Sequence, residues 1–553
     1  MALKVVLAAM GAENISLEAI SAMLKKEGHQ VQLAFDRALF NDGQYFSIPW
    51  LARLLDVKDD VVRQVIEARP DLLCVSVFAD NYQWAIDLCR RVKQEIDVTV
   101  VFGGIHPTTV PERVLEEDCV DAICVGEGDY AIAELAASID RGLVSRSRRG
   151  AVDTSIANLW FRKDGEIIRN PPRPNANLDD LPMIDKELFE DHIPYRHYYL
   201  TVTNRGCVRR CSFCAENFKE RWEGEHRLGP FMRDTSVEKV IAELRHMRRQ
   251  YGLSYIDIKN NVLSGSKRWT LEFLRRYKEE IGLPFRIMGY PRLLTREVTR
   301  ALKAAGCHHV QMGIESFNER IRREVLLRPE TNDQVREAIQ NMEDAGIGYS
   351  TDFILGLPGE TEQDLVDAIR LLSGRKRLRR ASIFWLEYLP GVYITELAQK
   401  MGLIGDRELE NIERGKQQNY LAHGSIEDEE KKRHLKNYHL IFRILPITPA
   451  PVIDFILAHK LQRFFRFFPQ TPIIIAVDLL VSVLKRDIYA MWAIRTYWFE
   501  LKRRMRARFF GKTADVYKVS GDADASSRSW NALPRVDDER FAVGDDELAS
   551  TSV

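Results

Sequence analysis

The sequence is short of cysteine, of uninterrupted apolar stretches and of excess charge of either sign. Cysteine occupies eight of 553 positions, and five of these residues are scattered, mostly in apolar segments. Such isolated thiols are expected to be buried and reduced, which argues against a disulfide scaffold and favours a cytoplasmic location. Lysine plus arginine equals aspartate plus glutamate, at 80 each. The balance gives no support for a nucleic-acid partner, so the basic run GRKRLRR at 374–380 is interpreted as a solvated helix end or loop.

No segment has the form of a secretion signal or of a membrane-spanning helix. The N-terminus, MALKVVLAAMGAEN, has a short apolar run that soon meets Glu13, and it lacks a cleavage site. The stretch TPIIIAVDLLVSVL is interrupted by Asp478 and is too short to span a bilayer. Hydrophobic residues make up 45% and charged residues 29% of the chain, as in globular proteins. A chain of this length is expected to form two or three domains.

Residues 1–140 alternate short apolar runs with helical patterns. The runs at 3–9, 31–35, 72–78, 98–104 and 121–126 are almost continuously apolar, as is typical of strands buried on both faces of a parallel sheet. Helical patterns at 16–28 and 81–95 lie between them. The alternation predicts a doubly wound, Rossmann-like α/β domain that binds ligands beyond the C-terminal ends of its strands.

A connector is predicted at 141–196, followed by a second α/β series at 197–400. The connector is rich in Pro, Asn, Asp and basic residues and contains a predicted strand pair within ANLWFRKDGEIIRN. Six candidate strands then alternate with helices, at 198–206, 255–261, 285–290, 308–316, 349–359 and 381–391. Six β/α units in succession predict a partial TIM-type barrel with its chemistry at the C-terminal strand ends.

The remainder is predicted to be a helical region at 401–512 and a disordered tail at 513–553. The tail is polar and poor in β-branched apolar residues. The helices mix aromatic with basic residues, as in LQRFFRFF and MWAIRTYWFELKRRMRARFF. Two interpretations are open: helices packed on the barrel with their basic faces in water, or helices lying on an anionic membrane surface. We expect this region to close the barrel mouth or to dock the protein where an apolar substrate resides.

The densest chemical signal is a cluster of three cysteines, Cys207, Cys211 and Cys214, in the stretch NRGCVRRCSFCA. Three thiolates after a strand can hold three irons of a [4Fe–4S] cluster and leave the fourth iron open to a ligand. A zinc site is the structural alternative, but it normally takes four protein ligands. No fourth cysteine or histidine lies at the usual zinc spacing. The spacing therefore favours iron–sulfur chemistry.

The C-x3-C-x2-C spacing, with Phe213 just before the third cysteine, resembles the signature of radical S-adenosylmethionine (SAM) enzymes. Further stretches agree in order: YIDIKNN, QMGIES and ILGLPGET. YIDIKNN departs from the family pattern, which usually ends in two acidic residues, by having Asn260 and Asn261. The resemblance implies that the open iron binds SAM. The SAM-binding residues that it implies are Phe213, Gly313, Glu315, Ser316, Gly356 and Gly359.

The first domain resembles the cobalamin-binding domain that precedes the barrel in one radical SAM subfamily. The resemblance rests on GAENISLEAISAMLKKEGHQV, FGGIHPTTVPE and VGEGD. The sequence lacks the Asp-x-His-x-x-Gly motif whose histidine binds cobalt, since His29 and His106 have the wrong neighbours. A domain that binds nothing is therefore the alternative. The cobalamin-binding residues implied are Asn14, Ser16, Ser76, Gly103, Gly104, His106, Gly126 and Gly128.

The resemblance implies a cobalamin-dependent radical SAM methyltransferase that acts on a small molecule. A 5′-deoxyadenosyl radical would activate an unactivated carbon of a biosynthetic intermediate, and methylcobalamin would supply the methyl group. An external one-electron reductant of the flavodoxin or ferredoxin type is also implied. The alternatives are cyclisation or rearrangement of a tetrapyrrole- or lipid-type substrate, and a non-catalytic protein that senses cobalamin or redox state. The sequence singles out no catalytic acid or base.

Overall fold

The computed structural model describes residues 2–40, 49–140, 153–163, 165–416, 424–425, 429–467 and 470–510. The predicted tail at 513–553 and most of the basic loop that opens the predicted connector lie outside these residues. The elements of the first part are β1 Lys4–Met10, α1 Ile15–Lys26, β2 Gln30–Asp36, α2 Pro49–Leu54, α3 Lys58–Ala68, β3 Leu72–Ser76, α4 Tyr82–Glu95, β4 Thr99–Gly103, α5 Ile105–Thr109, α6 Pro111–Leu115, β5 Ala122–Cys124 and α7 Asp129–Asp140.

These elements form the doubly wound sheet expected from the sequence. The strand order is β2-β1-β3-β4-β5, all parallel. The order reverses beside β1, so the loops after β1 and β3 diverge and leave a crevice at the C-terminal strand ends. The strands are apolar on both faces because each face packs against helices, and all five residues of β3 are buried.

The predicted strand pair of the connector is β6 Leu159–Lys163 and β7 Glu166–Arg169. It extends the first sheet, because β6 pairs antiparallel with β5 and then with β7. A 3₁₀ helix at Lys186–Phe189 follows. It carries Lys186, whose fully buried ammonium lies 2.6 Å from Glu13 and 2.8 Å from Glu18. This segment is therefore attached to the first domain by pairing and by buried charge.

The second sheet is an open parallel barrel of six strands. Its order, β15-β14-β13-β12-β11-β8, follows the chain, so the predicted partial (β/α)6 barrel is confirmed. The elements are β8 Tyr199–Thr201, β9 Asn204–Arg205, α8 Ala215–Glu225, β10 Arg233–Asp234, α9 Val237–Tyr251, β11 Ile256–Ile258, α10 Lys267–Glu280, β12 Phe285–Gly289, a 3₁₀ turn Pro291–Leu293, α11 Arg296–Ala304, β13 Cys307–Glu315, a π-helix Ile321–Val325, α12 Asn332–Ala345, β14 Gly348–Leu355, α13 Glu362–Leu372 and β15 Leu378–Trp385.

The predicted C-terminal helices are present. They are α14 Tyr393–Lys400, α15 Asp406–Glu413, α16 Glu429–Ile444, α17 Ala450–Ala458, a 3₁₀ helix Leu461–Phe467, α18 Gln470–Leu484 and α19 Ile488–Phe510. Within the described ranges, no helix combines the length and the hydropathy that a bilayer crossing requires.

From the sequence we expected the C-terminal helices to close the barrel mouth or to dock the protein. The last helices, α18 and α19, do not close the mouth. The Trp492 ring stacks on Tyr198 with centroids 4.1 Å apart, and Tyr198 immediately precedes β8. Asp487 lies 3.4 Å from Arg380 near the start of β15. These contacts place the start of α19 at the N-terminal strand ends, opposite the mouth. The segment after α15 is near the mouth instead, where the Gln83 side chain of the first domain donates to the Arg414 carbonyl.

Candidate functional site

A cavity of about 1140 Å³ lies where the C-terminal strand ends of the two sheets face each other. One wall carries residues from the loops after β1, β3, β4 and β5. The other carries residues from the barrel strands and from the cysteine loop, the segment that bears Cys207, Cys211 and Cys214. The volume exceeds the range of roughly 300–1,000 Å³ that is usual for small-molecule pockets. The cavity therefore has room for more than one small molecule, and both domains supply its walls.

The three predicted cluster cysteines lie together on the loop between β9 and α8. Cys211 is buried, whereas Cys207 and Cys214 are partly exposed. Burial raises the pKa of Cys207 to about 11 and that of Cys214 to about 12, and the neighbouring thiols contribute in the same direction. Binding of iron must therefore displace protons from these thiols. Among the described residues, no group of three or more His, Cys, Asp or Glu side chains is arranged around a single metal ion.

A buried arginine connects the cysteine loop to the end of β13. The Arg328 guanidinium lies 3.7 Å from Cys211 Sγ and donates to the Gly313 carbonyl at 2.7 Å. It also forms ion pairs with Glu330 at 2.6 Å and with Glu315 at 3.6 Å. Burial of the Glu315 carboxyl, opposed in part by Arg328, raises its pKa to about 8. One positive charge is thus shared between a predicted cluster ligand and a predicted SAM residue.

The predicted SAM residues divide into two groups. Phe213 and Glu315 line the cavity. Gly313 and Ser316 lie beside Glu315, where the strand is irregular and Glu315 has a φ of 67°. A Cβ at Gly313 would overlap Glu315 Oε1, so a larger residue there would displace this carboxylate. Glu315 is consequently the member of this motif that faces the cavity.

The remaining predicted SAM glycines, Gly356 and Gly359, form the turn after β14 and have φ values of 85° and 77°. The Gly356 amide donates to the Glu360 carboxylate at 2.9 Å. Neither glycine belongs to the cavity lining. The structure places this turn at the correct strand end but not on the wall of the cavity.

Seven of the eight predicted cobalamin residues line the first-domain wall of the cavity: Ser16, Ser76, Gly103, Gly104, His106, Gly126 and Gly128. The eighth, Asn14, caps α1 and donates to Ser76 Oγ at 2.9 Å. Gly104 has a φ of 103°, and a Cβ there would lie 2.8 Å from the Val77 carbonyl oxygen. The backbone after β4 can adopt this conformation only with glycine.

His106 lies in α5, on the cavity wall. It is 1% exposed, and its ring packs against Tyr82 with centroids 4.5 Å apart. Burial lowers the pKa of His106 to about 4 because it disfavours the imidazolium. The side chain is therefore neutral at pH 7.

Charged residues that the sequence had not assigned connect the two domains beside the cysteine loop. Arg205 donates to both carboxylate oxygens of Asp129, at 2.7 and 2.9 Å. Glu127 lies 3.2 Å from Arg205 and 2.5 Å from Arg233. Although burial opposes its ionisation, these arginines lower the pKa of Glu127 to about 2. We call these four residues the interdomain clamp. Arg205 precedes the first cluster cysteine by two positions, and the acidic pair belongs to VGEGD.

Other polar residues in the cavity were also missed. Asp80 follows β3 and Glu387 follows β15, so the two carboxyls come from different domains. Burial, together with the charge of Asp80, raises the pKa of Glu387 to about 8. Burial also lowers the pKa of Lys259 at the end of β11. No local motif marks these residues, because only the facing of the two sheets brings them together.

Two segments of the chain match known family models. Residues 201–372 match the radical SAM superfamily, and residues 4–136 match the B12 binding domain. The chain therefore contains a radical SAM domain. More particularly, a B12-binding domain precedes that radical SAM domain in the chain.

Two relatives illustrate the range of this group. An uncharacterized methyltransferase of Pyrococcus horikoshii is 29% identical over 324 residues, which cover 56% of this chain and 66% of that protein. The anaerobic magnesium-protoporphyrin IX monomethyl ester cyclase of Rubrivivax gelatinosus is 24% identical over 368 residues, covering 63% of this chain and 61% of that protein. The chain thus spans about two thirds of these relatives or slightly less.

Two solved structures share the fold. The radical SAM methyltransferase TsrM from Kitasatospora setae, with cobalamin and a [4Fe–4S] cluster bound, has a TM-score of 0.55 and 19% identity, and the match covers 72% of this chain and 78% of that one. The cobalamin-dependent radical SAM enzyme OxsB, with aqua-cobalamin and SAM bound, has a TM-score of 0.59 and 14% identity, covering 93% and 81%.

The residues present fit the cofactors that these domains imply, namely a [4Fe–4S] cluster, SAM and cobalamin. Three thiols on one loop suit a cluster whose thiolates bind different irons. The large cavity between the glycine turns and Glu315 suits bulky cofactors that must meet.

Proposed function

We propose that this protein is a cobalamin-dependent radical SAM methyltransferase that methylates an unactivated carbon of a small biosynthetic intermediate. The observation that carries the proposal is the shared cavity. It joins the Gly103–Gly104 and Gly126–Gly128 turns to Phe213 and Glu315 in one continuous space. A substrate held there would be within reach of both cofactor sites at once.

In this proposal the protein binds and orients the cofactors and shields the reaction from water. Cys207, Cys211 and Cys214 hold the cluster, and the glycine turns let the first-domain backbone approach a bulky cofactor. When bound, the cofactors supply hydrogen-atom abstraction and a transferable methyl group. Phe78, Leu386 and Leu389 contribute apolar surface to the cavity wall, which disfavours water near reactive species.

Anaerobic reconstitution with iron, sulfide and cobalamin tests the proposal. With SAM and a reductant, the protein is expected to form 5′-deoxyadenosine. Cys211→Ala should abolish this and bind less iron, whereas Cys307→Ala, the same change at a buried cysteine on β13, should do neither. Absence of 5′-deoxyadenosine from the wild type would contradict any radical SAM reaction, and failure to retain cobalamin would contradict the methyltransferase specifically.

Ring formation or rearrangement is the second candidate, and the relationship to a ring-forming cyclase favours it. The two candidates differ in the product. Methyl transfer adds one methyl group to the substrate and also consumes SAM as a methyl donor, whereas cyclisation adds none. Isotopically labelled methyl groups in SAM therefore separate them.

The partners proposed are an apolar small-molecule substrate and an external one-electron reductant of the flavodoxin or ferredoxin type. The apolar side chains of the cavity wall, among them Phe78, Leu386 and Leu389, support the first, and the need to reduce the cluster supports the second. Peripheral membrane contact through the C-terminal helices belongs to the same proposal, because large apolar side chains of α18 and α19 are exposed.

A further inference from the structure

Exposed apolar side chains are concentrated on the C-terminal helices. α18 and α19 pack against each other. The large apolar residues that they expose are Leu479, Leu480, Val483, Leu484, Met491, Ile494, Trp498, Phe499 and Met505. We call these nine residues the apolar face. Exposed apolar residues grouped on two successive helices, unlike single scattered ones, mark a site of interaction rather than an ordinary surface.

The opposite sides of both helices are fixed to the protein, so the apolar face cannot rotate inward. On α18, Val481 is buried and Asp478 pairs with Arg443 of α16 at 3.1 Å. On α19, Arg504 is 7% exposed, donates to the Leu55 carbonyl and lies 3.6 Å from Asp36. Leu55 and Asp36 both belong to the first domain. The apolar residues are therefore exposed because the rest of each helix is already bound.

Basic side chains accompany the apolar face. Arg495 and Lys502 are exposed on α19, one helical turn before and after Trp498. The Lys502 ammonium lies 5.1 Å from the centre of the Trp498 ring. Lysine is depleted in the cores of protein–protein interfaces. Apolar residues and tryptophan beside exposed lysine and arginine are typical of helices that lie in a lipid interface.

We propose that α18 and α19 bind the surface of an anionic lipid bilayer, with the apolar face in the acyl-chain boundary and Arg495 and Lys502 on lipid headgroups. The helices lie on the bilayer, since within the described ranges none is able to cross it. This inference rests on the proposed function and names the lipid surface for its peripheral membrane contact, but it concerns lipid binding alone and is tested without turnover.

The test is co-sedimentation of the full-length protein with vesicles of phosphatidylcholine and phosphatidylglycerol. The wild type is expected to bind these vesicles more tightly than vesicles of phosphatidylcholine alone. Leu480→Glu with Val483→Glu should remove most of the binding. The matched control is Met401→Glu with Leu403→Glu, in the turn between α14 and α15, where the side chains are 54% and 52% exposed. The control should bind like the wild type.

Charge is tested separately. Arg495→Gln with Lys502→Gln should weaken binding to the anionic vesicles roughly 25-fold at low salt, and less at high salt. The circular dichroism spectrum and the amount of cobalamin retained show whether each variant has folded. If Leu480→Glu with Val483→Glu does not fold, the single variant Val483→Glu replaces it.

Three outcomes would overturn the proposal. Leu480→Glu with Val483→Glu could bind as tightly as the wild type, or the control pair could lose binding equally. Alternatively, light scattering could find that the wild type is a dimer and that Leu480→Glu with Val483→Glu is a monomer, with no vesicle binding by either protein. That result would assign the apolar face to a second copy of the chain. None of these outcomes bears on 5′-deoxyadenosine formation, so failure here is distinct from failure of the proposed function.

Discussion

Removal of Arg205 is expected to loosen the two domains beside the cysteine loop. In Arg205→Met, Asp129 loses both of its guanidinium hydrogen bonds, which span 2.7 and 2.9 Å. Its carboxylate is only 6% exposed and is left without that charge partner. Breaking a buried ion pair costs roughly 3–5 kcal/mol. Because the Arg205 side chain is 27% exposed, we take the lower end, about 3 kcal/mol.

Native-state hydrogen exchange measures this change directly. A loss of about 3 kcal/mol in local opening free energy accelerates exchange roughly 100-fold. The acceleration should appear in peptides that cover 126–130 and 203–208. Arg210→Met is the matched control, because Arg210 lies five residues after Arg205, in the loop that follows β9, but is 74% exposed and pairs with Glu220 at the surface. A surface pair of this kind contributes about 1 kcal/mol or less.

The double variant Arg205→Met with Asp129→Asn completes the cycle. If the two residues act through their mutual contact, the double variant should exchange little faster than either single variant. Additive effects, equal acceleration in Arg210→Met, or exchange in Arg205→Met within threefold of the wild type would each refute the interdomain clamp.

Three further predictions concern charge and backbone. The pKa of Glu127 is lowered from 4.5 to about 2, and this shift contributes about 3 kcal/mol to the free energy of unfolding. The contribution is fully present above pH 4.5 and is lost as pH falls toward 2. Glu127→Gln should therefore flatten this part of an acid-unfolding profile. Arg328→Gln should make the midpoint potential of the cluster more negative, by 59 mV for each tenfold change in the reduction equilibrium; redox titration measures this change. Arg322→Gln should shift the potential less, because Arg322 is a buried arginine that donates to the carbonyls of residues 316 and 330. Gly104→Ala should lower cobalamin affinity and thermal stability more than Gly28→Ala does, because both positions have positive φ but only the Gly104 Cβ meets backbone.

Most of the architecture could be predicted from periodicity. Runs such as LLCVSVF are apolar at every position because both faces of a parallel strand are covered, and this pattern is local in the sequence. The cysteine spacing is equally local, since one loop carries all three thiols. The position of α18 and α19 could not be predicted in this way. Their patterns indicate apolar and basic faces, but not which end of the barrel they meet.

The site followed the same division. Gly313 and Glu315 are identified by a motif because they are neighbours in the sequence and lie together at the end of one strand, β13. Asp80 and Glu387 are not, because the cavity that brings them close exists only when the two sheets face each other. Arg205 was visible beside the cysteines, but its partners, Glu127 and Asp129, lie in the other domain.

The sequence by itself determined the two α/β domains, the three clustered thiols and the glycine turns at the strand ends, because each depends on residues close together in the chain. Only the tertiary structure decided that the strand ends of both sheets open into one cavity. It alone also decided that the interdomain clamp fixes one domain against the other, and that α18 and α19 turn an apolar face outward. These properties depend on contacts between residues far apart in the chain, which no local pattern encodes.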